Sequence, residues 1–232
     1  MSRTVQVWWT APGAPGRRHH ELLDDMERAR LALLVDAADR ARFLAGAALL
    51  RIAVGRLTGT MPEALRVDRS CAGCSLAHGR PVVRGSGIEV SVSHSGGLVA
   101  VAVGEAGPIG VDVQEMRGTA GPRLAAKVLT PVERMRHQAV DRSEFCTYWV
   151  RKESALKATG DGLAVPMTAV QVSAPNRPPV LQRYCGRPEL ADTAWMYDLR
   201  PGPGYRSALT VLGTPAAVDE RDGTGLLRGG PR

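Results

Sequence analysis

The stretch that most limits what this chain can become is 145–162, FCTYWVRKESALKATGDG. Asp141 and Glu144 stand three residues apart just ahead of it, the spacing of a helix N-cap and its capping-box partner. Gly160 supplies a left-handed stop after about four turns. Such a helix carries Trp149, Glu153 and Lys157 on one face, because residues four apart are neighbours on a helix surface, and Lys152 flanks that face. Taken alone, the pattern admits two readings. One is a solvated Glu–Lys pair worth about 0.3–0.5 kcal/mol. The other is a carboxylate with an ammonium one turn further on, beside a large aromatic, able to hold a metal and the phosphate bound to it.

Around this helix the pattern predicts a mixed α+β chain. Val5, Val7 and Trp9 alternate with Gln6 and Trp8, a first strand. Apolar residues at helical spacing predict helices over 21–35 and 36–56, with Gly59 just past the second. After a loop-like stretch, 68–87, come a half-buried strand over 88–92, a turn at SHSGG (93–97), a strand buried on both faces over 98–103, and another at IGVDV (109–113). Residues 118–144 read as mostly helical, with Thr130 to Glu133 a helix start; 169–173, 195–199 and 207–212 are strand candidates. The two long glycine-ended helices, each followed by strands, suggest similar halves at 1–107 and 108–213. From Thr214 the periodicity fades, so 214–232 is expected to be a disordered tail.

The net charge of +7 points to an acidic partner: nucleic acid, an anionic cofactor or an acidic protein. Nucleic acid fits poorly, because the basic residues are dispersed and only 4% of residues are aromatic. No apolar run suits a signal peptide or a membrane span, so a cytoplasmic protein with no membrane partner is expected. Cys71, Cys74 and His78 have the look of part of a zinc site without an evident fourth ligand; reduced structural thiols are the competing reading.

Three further places can carry chemistry. On the strand 109–113, Ile109, Val111 and Val113 face a core, so Asp112 and Gln114 project together from the other face. A carboxylate there is half of a magnesium site, since magnesium takes one or two carboxylates plus water and substrate phosphates. An exposed edge-strand Asp is the alternative. Ser93-His94-Ser95-Gly96-Gly97 offers hydroxyls, an imidazole and backbone N–H groups that can cradle a phosphate, unless it is a plain hairpin turn. Gly79-Arg80-Pro81 holds a guanidinium rigidly, again suited to phosphate.

In this order, GRP (79–81), SVSHSGG (91–97), PIGVDVQ (108–114) and YWVRKESALKATGDGL (148–163) resemble the motifs of the Sfp-type 4′-phosphopantetheinyl transferases. The similar part runs from about residue 38 to residue 212. The resemblance implies a monomer of two pseudo-symmetric α/β halves with the active site in the cleft between them. It implies transfer of the phosphopantetheine arm of coenzyme A to a serine of an apo acyl or peptidyl carrier protein, releasing adenosine 3′,5′-bisphosphate. Fatty-acid, polyketide and non-ribosomal-peptide carriers fit equally, and the basic charge suits both acidic substrates. By position, Asp112 and Glu153 match the Mg²⁺ ligands, Glu153 also serving as general base. Lys157 matches the lysine on the pyrophosphate, with Lys152 behind the site or on a phosphate. Ser93, His94 and Arg42 match contacts to the 3′-phosphate, Arg80 the basic residue near the adenine nucleotide, and Arg30 is a further candidate. Gln114 departs from the pattern: many members carry a third acidic ligand there. Gln114 can offer a carbonyl oxygen or leave the place to water, and the site has one fewer negative charge. A degenerate homologue that binds coenzyme A or a carrier without chemistry is the competing expectation; intact Asp112, Glu153 and Lys157 argue against it.

Overall fold

The computed structural model describes residues 3–13, 17–70, 79–118, 120–135 and 141–228. Cys71, Cys74 and His78, on which the zinc reading rests, lie outside these residues. Along the chain run β1 (Thr4–Thr10), α1 (Arg17–Glu21), α2 (Asp25–Leu33), α3 (Ala37–Thr58), β2 (Val67–Asp68), β3 (Val82–Val83), β4 (Glu89–Ser95) and β5 (Leu98–Gly104). Next come β6 (Ile109–Glu115), α4 (Pro122–Val128), α5 (Pro131–Met135), α6 (Arg142–Thr159), β7 (Val170–Val172) and β8 (Leu181–Tyr184). The chain finishes with α7 (Leu190–Thr193), β9 (Ala194–Asp198), β10 (Tyr205–Leu212), β11 (Ala217–Asp222) and α8 (Thr224–Arg228). These elements make a mixed α+β protein of two compact units: Arg3–Glu105 with the segment from Ala217 onward, and Ala106–Ala216.

In the first unit α3 covers a sheet ordered β11-β1-β5-β4. Asp36 caps the helix by accepting the Asp39 N–H at 2.9 Å, and Gly59 ends it at φ 70°. Ala45, Leu49, Leu50, Ala53 and Val54 of α3 pack with Val99, Val101 and Val103 of β5. Each fully buried aliphatic side chain of this kind contributes about 1.5–3 kcal/mol. Arg51, wholly buried on the same helix, donates to Glu27 Oε2 (2.7 Å), Asp24 Oδ2 (2.5 Å) and the carbonyls of Pro62 (3.1 Å) and Leu65 (2.8 Å). It ties α3 to α2 and to the turn that follows α3. The helix expected over 21–35 is shorter, Asp25–Leu33, because Asp24 makes a capping box with Glu27 and starts α2 there.

The tail is a correction. Ala217–Asp222 is not disordered: it forms β11, parallel to β1, from Thr4 opposite Ala217 to Trp9 opposite Asp222. Its residues are mostly exposed, so they carry no alternating apolar signal, and pairing of its backbone along an otherwise open sheet edge holds it in place.

In the second unit α6 lies on an antiparallel sheet ordered β6-β10-β9. Its ends are as the sequence predicts, an Asp141–Glu144 capping box and Gly160 at φ 79°. Helix and strand approach closely at Gly110. A Cβ there would fall 2.1 Å from the Ser154 carbonyl oxygen and 2.4 Å from the Ala158 nitrogen, so only glycine fits. No helix among the described residues is long and apolar enough to cross a membrane.

Candidate active site

Because Gly110 faces α6, the two-residue period of β6 turns Asp112 and Gln114 toward the same side. That face is covered, not open: Asp112 is 5% exposed. Its strand position is fixed by pairing with Ala208 on β10, and its carbonyl accepts the Ser207 hydroxyl at 2.5 Å. From α6, Lys157 Nζ donates to Asp112 Oδ1 at 2.7 Å and to the Val111 carbonyl at 3.0 Å.

Glu153, one turn earlier, is half-buried. Burial pushes its carboxyl above the usual range; the charge of Asp112 pushes the same way, and Lys157 pulls against both. Asp112, Glu153 and Lys157 therefore act on one another, as the sequence suggests. Trp149, the third member of that helix face, leans on the core, its ring centroid 6.1 Å from Phe145.

Two mutually repelling carboxylates with one ammonium form a donor set of hard oxygens with surplus negative charge, which suits magnesium. Half-buried Gln114 lies on the same strand face, and its amide nitrogen donates to the Glu115 carbonyl at 3.3 Å. Among the described residues no group of three or more His, Cys, Asp and Glu could hold a metal. Any metal here would rely on its substrate for the remaining ligands.

For Lys152 the expected phosphate contact is corrected, and the place behind the site is the one it takes. Its side chain is wholly buried, and its ammonium donates to Glu133 Oε2 (2.6 Å), the Val128 carbonyl (2.7 Å) and the Met167 carbonyl (3.2 Å). All three of its protons are engaged, so it does not contact a phosphate. Glu133 in turn accepts the backbone N–H groups of Thr130 (2.8 Å) and Val172 (3.0 Å), making the pair a buried joint beneath α6. The sequence reading missed Glu133 as this partner, although Thr130 and Glu133 stand at capping-box spacing.

The candidates of the first unit gather around β4. Arg42 on α3 donates to the Gly96 carbonyl at 3.1 Å and to Asp39 at 2.6 Å, anchoring the helix to the β4–β5 hairpin. That hairpin turns on Gly96 and Gly97 alone, with Ser95 opposite Leu98 and Gly96 at φ 54°. Ser93 and His94 thus belong to the strand rather than the turn. Alternation sends them to opposite faces, Ser93 buried and His94 exposed. Arg80 pairs with Glu89 at the start of the same strand.

A family model described as the 4′-phosphopantetheinyl transferase superfamily matches residues 108–208, which include β6, α6 and the site between them. The chain is 30% identical over 227 residues to the 4′-phosphopantetheinyl transferase HetI of Nostoc sp. (strain PCC 7120), covering 92% of this chain and 90% of that protein. A 4′-phosphopantetheinyl transferase of Bacillus subtilis is 29% identical over 143 residues, covering 58% of each chain.

Proposed function

Because the chain belongs to the 4′-phosphopantetheinyl transferase superfamily, we propose that it moves the phosphopantetheine arm of coenzyme A onto a serine of an apo acyl or peptidyl carrier protein, in a Mg²⁺-dependent reaction releasing adenosine 3′,5′-bisphosphate. The meeting of Asp112, Glu153 and Lys157 beneath α6 is the observation that carries this reading.

Asp112 and Glu153, with the carbonyl oxygen of Gln114, would hold the metal, which supplies charge to offset the breaking phosphoanhydride. Lys157 spends two of its three ammonium protons on Asp112 and Val111. The third is available to a diphosphate oxygen, where it strengthens as charge develops on the leaving phosphate. Glu153 holds a proton more readily than an ordinary carboxylate. It therefore suits the role of base, taking the serine proton as the hydroxyl attacks the phosphorus. Lys152, fixed on Glu133, keeps the neighbouring turn of α6 in register. Arg42, Arg80, Ser93 and His94 are assigned to the nucleotide end of coenzyme A.

Incubation with coenzyme A, Mg²⁺ and a panel of apo carrier domains, followed by intact mass measurement, tests the reading. The expected result is a gain equal to the phosphopantetheine arm, abolished by chelator and by Glu153→Gln. Coenzyme A binding without transfer to any carrier would instead identify a degenerate binder.

A further inference from the structure

The second unit holds a cavity of about 460 Å³ to which the transfer chemistry above gives no task. It is lined by Thr147 and Val150 of α6, by Arg206 and Ser207 of β10, and by Leu199 and Pro201 of the turn between β9 and β10. That turn is preset: the Leu199 N–H donates to the Ser207 carbonyl at 3.0 Å, and the Gly204 carbonyl accepts the Met116 N–H at 2.8 Å. The cavity is therefore formed before anything enters it, and its size is that of a ligand pocket. It adjoins the candidate site. Ser207 donates its hydroxyl to the Asp112 carbonyl, and Arg206 stands opposite Gln114 in the pairing of β10 with β6.

The charge on this side of the site is positive. Asp198, the carboxylate in the cavity lining, is taken by Arg151, whose Nε donates to Oδ1 at 2.9 Å. Arg206 donates to the Ser143 hydroxyl and to the Tyr205 carbonyl (3.0 Å). Arg142, beside Ser143 on α6, donates to the Glu115 carbonyl (3.4 Å). Among the described residues neither guanidinium is paired with a carboxylate. Burial raises the pKa of the Cys146 thiol, Arg142 and Arg206 pull it down, and Asp112 pushes it up, so both cations and the candidate metal ligand act on one buried side chain.

Helix α6 runs antiparallel to β6, which gives the site two distinct ends. Lys157 meets Val111 at one, and Arg142 meets Glu115 at the other. In phosphoryl transfer the attacking and leaving oxygens stand roughly in line on opposite sides of the phosphorus. With Lys157 on the leaving diphosphate, the attacking serine comes from the end of Arg142 and Arg206, where the cavity lies. We propose that this cavity is the acceptor subsite: it seats the polypeptide segment flanking the serine, and Arg206, with Arg142, selects segments that carry a carboxylate beside that serine. The inference rests on the transferase reading and adds to it the chemistry by which the acceptor is recognised.

Steady-state transfer and calorimetry test it with wild type, Arg206→Glu and Arg206→Lys, melting temperatures being recorded for each. The acceptors are apo carrier domains with carboxylates near the serine, and the same domains with those carboxylates changed to amides. Arg206→Glu should raise KM for the acidic carrier about tenfold, more than it lowers kcat, and leave the dissociation constant of coenzyme A unchanged. Arg206→Lys should recover part of the loss. Removing the carrier carboxylates should cost wild type a similar factor and cost Arg206→Glu nothing further. An unchanged KM in folded Arg206→Glu would overturn the inference. So would a wild type indifferent to the carrier carboxylates, a result that needs no variant of this chain. Coenzyme A binding weakened as much as carrier binding would make Arg206 structural and overturn it as well. Carrier binding that depends on Arg206, in a protein that transfers nothing, would uphold the docking and sink the transferase reading. Transfer with a KM indifferent to Arg206 would sink this inference alone.

Discussion

The two units solve one packing problem in opposite ways. Each lays a long helix on a sheet, opens it with an aspartate and closes it with a left-handed glycine. In the first unit the helix gives up a side chain: a Cβ on Gly46 of α3 would meet Val92 Cγ1 at 3.0 Å and Val99 Cγ1 at 3.5 Å. In the second the strand does so, and the backbone of α6 rests on Gly110. A helix seated on side chains leaves an apolar layer between itself and the sheet. Seated on a strand glycine, its own carboxylate and ammonium come within reach of the next residue on that strand face, which here is Asp112. Both arrangements bury a core, and the second also brings together a candidate site.

The sharpest way to break this comparison is to add a methyl group to each glycine. Gly110→Ala drives a Cβ into helix backbone, which cannot rotate away, so the second unit should fail to fold cooperatively in urea. Gly46→Ala meets only a valine methyl, and the helix gains about 1 kcal/mol from alanine, so the net change should be small. Similar stabilities for the two variants would contradict the contrast.

Next in size are the buried cations. Arg51→Met leaves Glu27, which is 1% exposed, with only Arg69 at 3.6 Å, and Lys152→Met strands Glu133, which is wholly buried. Each should cost about 3–5 kcal/mol in urea denaturation. Arg151, the counterpart of Arg51 on α6, donates to the carbonyls of Ser173, Ala174 and Arg177 and pairs with Asp198, which is 42% exposed. Water can take over Asp198, so Arg151→Met should lose less, about 1–3 kcal/mol. A loss as great as that of Arg51→Met would mean that partner exposure does not decide the cost.

The smallest effect belongs to the metal. Gln114→Glu adds one negative charge to the donor set and should tighten Mg²⁺ binding in calorimetry without coenzyme A. Equal affinity in the two proteins would show that this position does not reach the metal.

What the sequence makes legible follows from how local the cause is. The ends of α3 and α6 were readable because an aspartate cap and a left-handed glycine act within a few residues. The helix period puts Glu153 and Lys157 on one face and the strand period turns Asp112 with Gln114, but it is the resemblance that joins Asp112 to the helix pair. Lys152 sits one residue from Glu153, and nothing local distinguishes a lysine bound for the interior from one facing a phosphate; Glu133, brought by α5, decides it. β8 was missed because its buried Leu181 and Tyr184 are separated by two exposed residues, breaking the two-residue period. β11 was missed because its hold on β1 lies in backbone pairing, which leaves no trace in side-chain pattern.

The polar face of α6 is expected to serve chemistry at the expense of stability, and Glu153→Gln probes both. Transfer and melting temperature should be recorded for both proteins across pH. The folded carboxyl of Glu153 binds its proton more tightly than the unfolded one, so its ionisation weakens the fold. Below the ordinary carboxylate pKa both states are protonated and the two proteins should melt alike. As pH rises through the elevated folded value the wild type should fall behind, and at neutral pH Glu153→Gln should melt higher while transferring nothing. A variant that still transfers at the wild-type rate, or that melts lower at neutral pH, would contradict the account.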